Sequence, residues 1–279
     1  MINEPIEKEK LIMLEASYKD NETNFLEEIA NKLNLKDKTR LVFIERLRID
    51  NDHLNNPALA TCLSQSLLKD TSQKATSKII LRDSLKTIFK KLNREGCDFH
   101  GVTREKVKIA KQWLREIVYP WHRLKNIAIS TNKMGPVPQG LDLYKAGSDY
   151  PNTLPLGSQI KFEVRLERPG YLTLLEKDTS GKFYCLSSSF SSIFNPGIIS
   201  LPMEGAPVNY FQLTSEPGVE EIIAAIAPEP PKLDWLPQLD QVPLLLQGKH
   251  LQEFLAYFEG KSDYTLWYMH YSVEAARAR

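Results

Sequence analysis

Apolar residues recur every three or four positions through "TRLVFIERLRIDND" (39–52), "PALATCLSQSLL" (57–68), "SKIILRDSLKTIFKKLN" (77–93) and "TREKVKIAKQWLREIV" (103–118). That is the period of helices with one buried face. In the third run Leu81, Leu85, Ile88 and Leu92 form the inward stripe. Beyond residue 158 the period changes to two. "QIKFEVRLE" sets Ile160, Phe162, Val164 and Leu166 on one side and Lys161, Glu163, Arg165 and Glu167 on the other, the pattern of a half-buried strand. "YLTLLE" (171–176), "KFYCLS" (182–187), 197–202, 209–215, 219–227 and 264–273 continue the strand-like runs, and the last aligns Trp267, Met269, Tyr271 and Val273. "GKHLQEFLAYFEG" (248–260) reads as one short helix with Leu251, Phe254, Leu255 and Phe258 inward.

Between the two regimes, residues 134–158 carry four prolines and four glycines and interrupt either period, as a linker does. The expected architecture is α+β. An all-α helical, helix-turn-helix-like domain (1–133) leads through a Pro/Gly-rich linker (134–158) to an antiparallel β-sandwich with one short helix (159–279).

One short stretch invites a chemical reading. Asp178-Thr179-Ser180-Gly181 is one residue longer than the Asp-Thr-Gly signature of aspartic proteases. It joins two strand-like runs, however, and Asp, Ser and Gly are what a hairpin loop of three to five residues requires. A protease of that type also needs a second carboxylate from a similar loop or an identical subunit. The sequence has no second copy, so Asp178 is expected to be a turn residue.

Charge separates the halves. Residues 1–133 hold 25 basic against 18 acidic residues, and 134–279 hold 11 against 17. The basic excess concentrates in 69–133, with 16 against 6. Lys74, Lys78, Arg82, Lys86 and Lys90 follow one another at intervals of four, where like charges repel by a few tenths of a kcal/mol per pair. Such a row is either a solvated face or the footprint of an anionic partner. The segment from Ala58 to Leu92 loosely resembles the helix-turn-helix of sigma-factor and response-regulator output domains, ending in Ile88-Phe89-Lys90-Lys91-Leu92. It departs from that pattern in "SLLKDTSQKAT", which is long for a tight turn and lacks glycine. A looser resemblance links it to helical modules that open multidomain bacterial signalling and conflict-system proteins, where it implies protein association.

The second half carries a resemblance of its own. "FEVRLERPGYLTLLEKDTSGKFYCLSSSF", with "NPGIISLP", "NYFQLTSEPGVEEIIAAIAPEP" and "LDWLP", resembles domain-of-unknown-function family 4384 over about residues 155–275. Its marks are Gly170-Tyr171-Leu172, Gly181, Pro196-Gly197 to Leu201-Pro202, and Pro217-Gly218 with Glu220. The resemblance implies a β-rich bacterial accessory module, often fused to signalling modules, without assigned catalytic residues.

Other chemistry is excluded by pattern. The five histidines lack metal-ligand spacing, the three cysteines lie far apart, and no nucleophile elbow, phosphate-binding loop or dinucleotide fingerprint occurs. No apolar run reaches the length of a membrane span. The expectation is a cytoplasmic, non-enzymatic adaptor in a bacterial signalling or defence-like system. It needs no catalytic residue, cofactor or metal, and binds a protein partner; the alternative is a DNA-binding regulator. The candidate contacts are Lys78, Arg82, Lys86, Lys90 and Trp235, the last set in the proline-rich stretch "PEPPKLDWLPQLDQVP" (228–243). There it either pins the loop onto the sandwich or anchors an interface.

Overall fold

The computed structural model describes residues 4–67, 74–139, 150–188, 193–214 and 216–275. The chain forms two compact units, Met1–Tyr119 and Pro120–Arg279. The first is helical and the second is built on sheets, an α+β organisation.

The helical unit comprises α1 (Glu4–Lys32), α2 (Asp37–Leu47), α3 (Asn56–Cys62), α4 (Ser64–Leu67), α5 (Lys74–Arg94) and α6 (Lys106–Trp113). Leu14, Tyr18, Phe25, Leu26, Ile29 and Ala30 give α1 its buried stripe. Glu22 interrupts that stripe, and its carboxylate accepts the Ile49 backbone N–H at 2.9 Å. Tyr18 and Phe25 meet Tyr119 edge to face at 4.9 and 5.3 Å. Asn55 starts α3 by accepting the Ala58 N–H at 2.9 Å, the ordinary work of an N-cap. In α5 the expected stripe of Leu81, Leu85, Ile88 and Leu92 is buried. Most of the connection before α5, residues 68–73, lies outside the described residues, and with it the turn of the helix-turn-helix reading.

The boundary between the units falls at Tyr119/Pro120, not in the expected linker. Helix α7 (Tyr119–Ile127) follows a π-helical turn at Leu114–Val118, next to a proline that removes one N–H from the ladder. From Trp121 onward its side chains belong to the β unit. Trp121 packs ring to ring on Phe183 at 5.1 Å and donates its Nε1–H to Glu221 at 2.8 Å, and Arg123 pairs with Glu259.

The β unit holds two sheets. Strands β1 (Ile129–Ser130), β2 (Met134–Pro138), β3 (Thr153–Pro155), β4 (Gln159–Leu166), β5 (Tyr171–Lys177) and β6 (Phe183–Ser188) come first. They are followed by β7 (Gly197–Leu201), β8 (Phe211–Gln212), β9 (Gly218–Ala227), β10 (Leu244–Leu245), helix α8 (Gly248–Phe258) and β11 (Thr265–Glu274). The larger sheet runs β1-β11-β9-β5-β6-β10, with β3 also on β11; the smaller runs β2-β4-β7, with β8 on β4. Two pairings depart from the antiparallel expectation, because β1 and β3 both run parallel to β11. The larger sheet is therefore mixed.

Part of the expected linker is also sheet. Met134–Pro138 pairs antiparallel with β4, and Thr153–Pro155 pairs with β11, while 140–149 lies outside the described residues. Gly135 is needed in β2 because the Tyr150 ring lies where its Cβ would stand.

The inner faces of the two sheets share one apolar core. Ile160, Phe162, Val164, Ile199 and Leu201 come from the smaller sheet and Leu172, Leu174, Ile222, Ala224 and Tyr271 from the larger. The opposite face of the larger sheet is buried as well, at Leu175, Cys185, Ile223 and Ala225. That double burial explains why β5 and β9 read as apolar runs without alternation.

Candidate functional site: a basic cleft in the helical unit

Helix α5 presents two neighbouring rows to an open cleft of about 1210 Å³. Residues four apart on a helix stand one turn above each other, so Leu81, Leu85 and Phe89 form an apolar row at the bottom of the cleft, the first two buried and Phe89 half-buried. Lys78, Arg82, Lys86 and Lys90 form a basic row beside it, all four exposed and all lining the cleft. The structure thus brings together the four sequence-predicted cations; the Lys74 side chain lies outside the described residues. Arg82 and Lys86 both lean on Asp83, at 3.2 and 3.8 Å, an exposed arrangement worth little. Lys78, Lys90 and Arg94 form no ion pair among the described residues.

The opposite wall comes from the α5–α6 loop and the start of α3. Phe99 meets Phe89 edge to face at 5.3 Å, and Lys106 lies over the Phe99 ring at 5.8 Å. His100, Val102, Asn56 and Pro57 complete it. Gly96 and Gly101 take positive φ of 102° and 69°, which lets this loop fold back over the helix. Sequence periodicity cannot find such a wall. The available signal was the "EGCDFHGV" interruption, with two glycines flanking buried Cys97 and Phe99.

A second cleft of about 930 Å³ continues from the first and shares Asn56, Pro57, Leu85, Phe89, Thr103 and Lys106 with it. At its far end Asp52 pairs with buried Lys111 and with Arg115. Burial opposes ionisation of Asp52, but the hydrogen bond from Lys111 and the Arg115 charge outweigh it and hold the carboxyl below its usual value. Over both clefts eleven cationic side chains line the walls against four carboxylates, so the trench is an anion-attracting surface with an apolar floor.

Trp235 lies in the β unit, half-buried, stacked on His250 of α8 at 4.9 Å and 6.3 Å from Phe254. Its ring pins the proline-rich stretch to α8, although its buried Nε1–H has no hydrogen-bond partner among the described residues. Asp178 closes the β5–β6 hairpin as expected. Its carboxylate accepts the Ser180 hydroxyl and the Lys182 N–H, each at 2.8 Å, with Gly181 at φ 81°.

Sequence reading missed a polar group at the end of the core of the β unit. Glu176 extends the inward Leu172–Leu174 stripe of β5 and hydrogen-bonds Glu220, which extends the Ile222–Ala224 stripe of β9 and accepts the Tyr271 hydroxyl. Burial, then the Glu220 carboxyl, pushes Glu176 well above the ordinary carboxylate range; burial raises Glu220 too, against its hydrogen bonds. Two carboxyls joined by a hydrogen bond keep a proton between them, which the raised values of both favour. On the outer face of the same strands Glu221 behaves oppositely. Burial works against its charge, but Lys177 and Lys125 with the Trp121 N–H hold it down at about 2. Among the described residues no group of three or more His, Cys, Asp or Glu is placed to hold a metal ion, and no helix is long and apolar enough to cross a membrane.

The strands from β3 through β9 form the middle of the β unit. Residues 153–230 match the model of a domain of unknown function, DUF4384. No curated protein and no solved structure matches the chain. The helical unit lies outside the matched segment.

Proposed function

We propose that the chain is a non-enzymatic adaptor whose helical unit captures a protein partner in the basic cleft, with the β unit as an accessory module. A bacterial, cytoplasmic signalling or defence-like setting follows from the family resemblance of the β unit and is part of the proposal. The observation that carries the reading is the coexistence, in one concave cleft, of the basic row of α5 with the half-buried apolar side chains of Phe89 and Val102. A duplex offers phosphates and groove edges, and a helix that reads it stands proud enough to enter a major groove about 12 Å wide. The half-buried Phe89 and Val102 on the floor have no role in such a contact, whereas a protein segment covers them.

The alternative, a DNA-binding regulator, rests on the same basic row. Fluorescence anisotropy of labelled duplexes against the full chain, over a salt series, separates the two. The adaptor reading expects only non-specific binding, about 10⁻⁴–10⁻⁶ M at physiological salt, without sequence preference. Sequence-selective binding near 150 mM salt that disappears when Arg82, Lys86 and Lys90 are all replaced by Gln would overturn it.

A further inference from the structure

We infer that the occupant of the cleft is an acidic amphipathic helix of a separate protein, about three turns long, laid along α5; this inference rests on the adaptor reading above. The two rows on α5 set the template. Lys78 to Lys90 spans about 18 Å at 1.5 Å per residue, the length of about twelve helical residues. Beside it Phe89 and, from the facing loop, Val102 stand half-buried on the floor, above Leu81 and Leu85, which the unit itself buries. A partner helix with an apolar stripe covers Phe89 and Val102, and carboxylates one position along face the cations. This is the helix-in-groove mode of recognition, in which apolar anchors give affinity and flanking charges fix register.

Charge selects the sign of the partner. Among the described residues the only carboxylate lining the first cleft is Asp98, against Lys78, Arg82, Lys86, Lys90, Arg94 and Lys106. The basic row repels itself in the free chain, because each i,i+4 step of like charge costs a few tenths of a kcal/mol. An acidic row laid against it removes that repulsion. A polyanion without an apolar face would relieve the charge but leave Phe89 and Val102, both half-buried on the floor, in water. A basic or purely apolar helix would bring no counter-charge to the six cations of the cleft.

The test uses the full chain and three fluorescein-labelled 15-residue peptides. One carries Leu at i, i+4 and i+8 with Glu on the adjoining row. The second has the same composition with the Leu residues scattered around the helix, and the third is all Glu. The matched helix is expected to bind at least ten-fold more tightly than either control. Replacing Arg82, Lys86 and Lys90 by Gln should weaken it ten-fold or more and flatten its salt dependence, while Val102→Ser should weaken it without changing that dependence. Circular dichroism checks that both variants remain folded.

If the scattered and all-Glu peptides bind as tightly as the matched one, and the triple variant loses all three, the cleft is an anion surface only. The helix inference then fails while the protein-partner reading stands. A sequence-selective duplex that displaces the matched peptide overturns both. Absence of binding by every peptide overturns the inference. So does concentration-dependent self-association abolished by the triple variant, which would make the occupant a second copy of this chain.

Discussion

Replacing Glu220 by Gln should make the β unit more stable at pH 8 than the unaltered chain, although it removes a carboxyl that hydrogen-bonds both Glu176 and Tyr271. The reason lies in the proton the pair retains. In the unfolded chain each glutamate ionises near pH 4.3, whereas in the folded unit both carboxyls are raised, Glu176 well above its ordinary value. Stability from a raised acid is fully present below the unfolded pKa and is lost as pH rises through the folded one. While one proton is held in the folded state and none in the unfolded, stability falls by about 1.4 kcal/mol per pH unit. The introduced amide still accepts the Tyr271 hydroxyl through its oxygen and donates an N–H to Glu176, so a side chain of the same shape carries no shared proton. Native-state hydrogen exchange at the Ile222–Ile226 amides of β9 reads the opening energy of this unit alone. Over pH 5–8 the unaltered chain should lose protection at up to that slope. The variant should lose it at less than half the slope, with the two curves meeting near pH 5. A flat profile in the unaltered chain, or an equal slope in Glu220→Gln, refutes the shared proton.

Glu221 predicts the opposite limb. Its carboxyl is held at about 2, so its contribution is present above the ordinary glutamate pKa and is lost as pH falls toward 2. Glu221→Gln should cost roughly 3 kcal/mol at pH 7, an order-of-magnitude figure from the size of that shift, and the difference should shrink below pH 4 in urea titrations; a pH-independent cost would assign the loss to packing instead. Together the two limbs place the maximum stability of the β unit near pH 5. Burial pushes the Cys97 and Cys185 thiols up to about 12, while Cys62 is exposed. Iodoacetamide should therefore modify Cys62 alone in the folded chain, as read by intact mass, with the other two following only in denaturant. Native-rate labelling of Cys185 would show that the face of the larger sheet around it opens.

Periodicity recovers elements whose two faces differ. It found β4, β11, α5 and α8, and it placed Leu251, Phe254, Leu255 and Phe258 in the core, where all four are buried. It missed α1, the longest helix among the described residues, because Glu22 stands in the apolar stripe; only the folded chain supplies the Ile49 N–H that makes a carboxylate acceptable there. It read 134–158 as linker because prolines and glycines dominate, yet β2 uses them in a strand. Of the candidate site, the basic row on α5 was legible as an interval of four. The opposite wall was not, since Phe99 and Val102 reach the cleft through a glycine-permitted loop, and so depend on long-range folding. The Glu176–Glu220 contact was equally hidden, because two residues 44 positions apart meet only once β5 and β9 pair.

The prolines of β2 bear on how the molecule behaves among its own copies. Gln139 donates its N–H to Gln159 of β4, so by the alternation of an antiparallel ladder the main-chain nitrogens of Pro136 and Pro138 face away from β4. Among the described residues β2 is the last strand on that side of the smaller sheet. An extended chain looking for donors along this border would find two tertiary nitrogens there, and both prolines are buried besides. The two missing donors belong to the covalent structure, so this obstacle to strand addition does not vary with pH, salt or concentration.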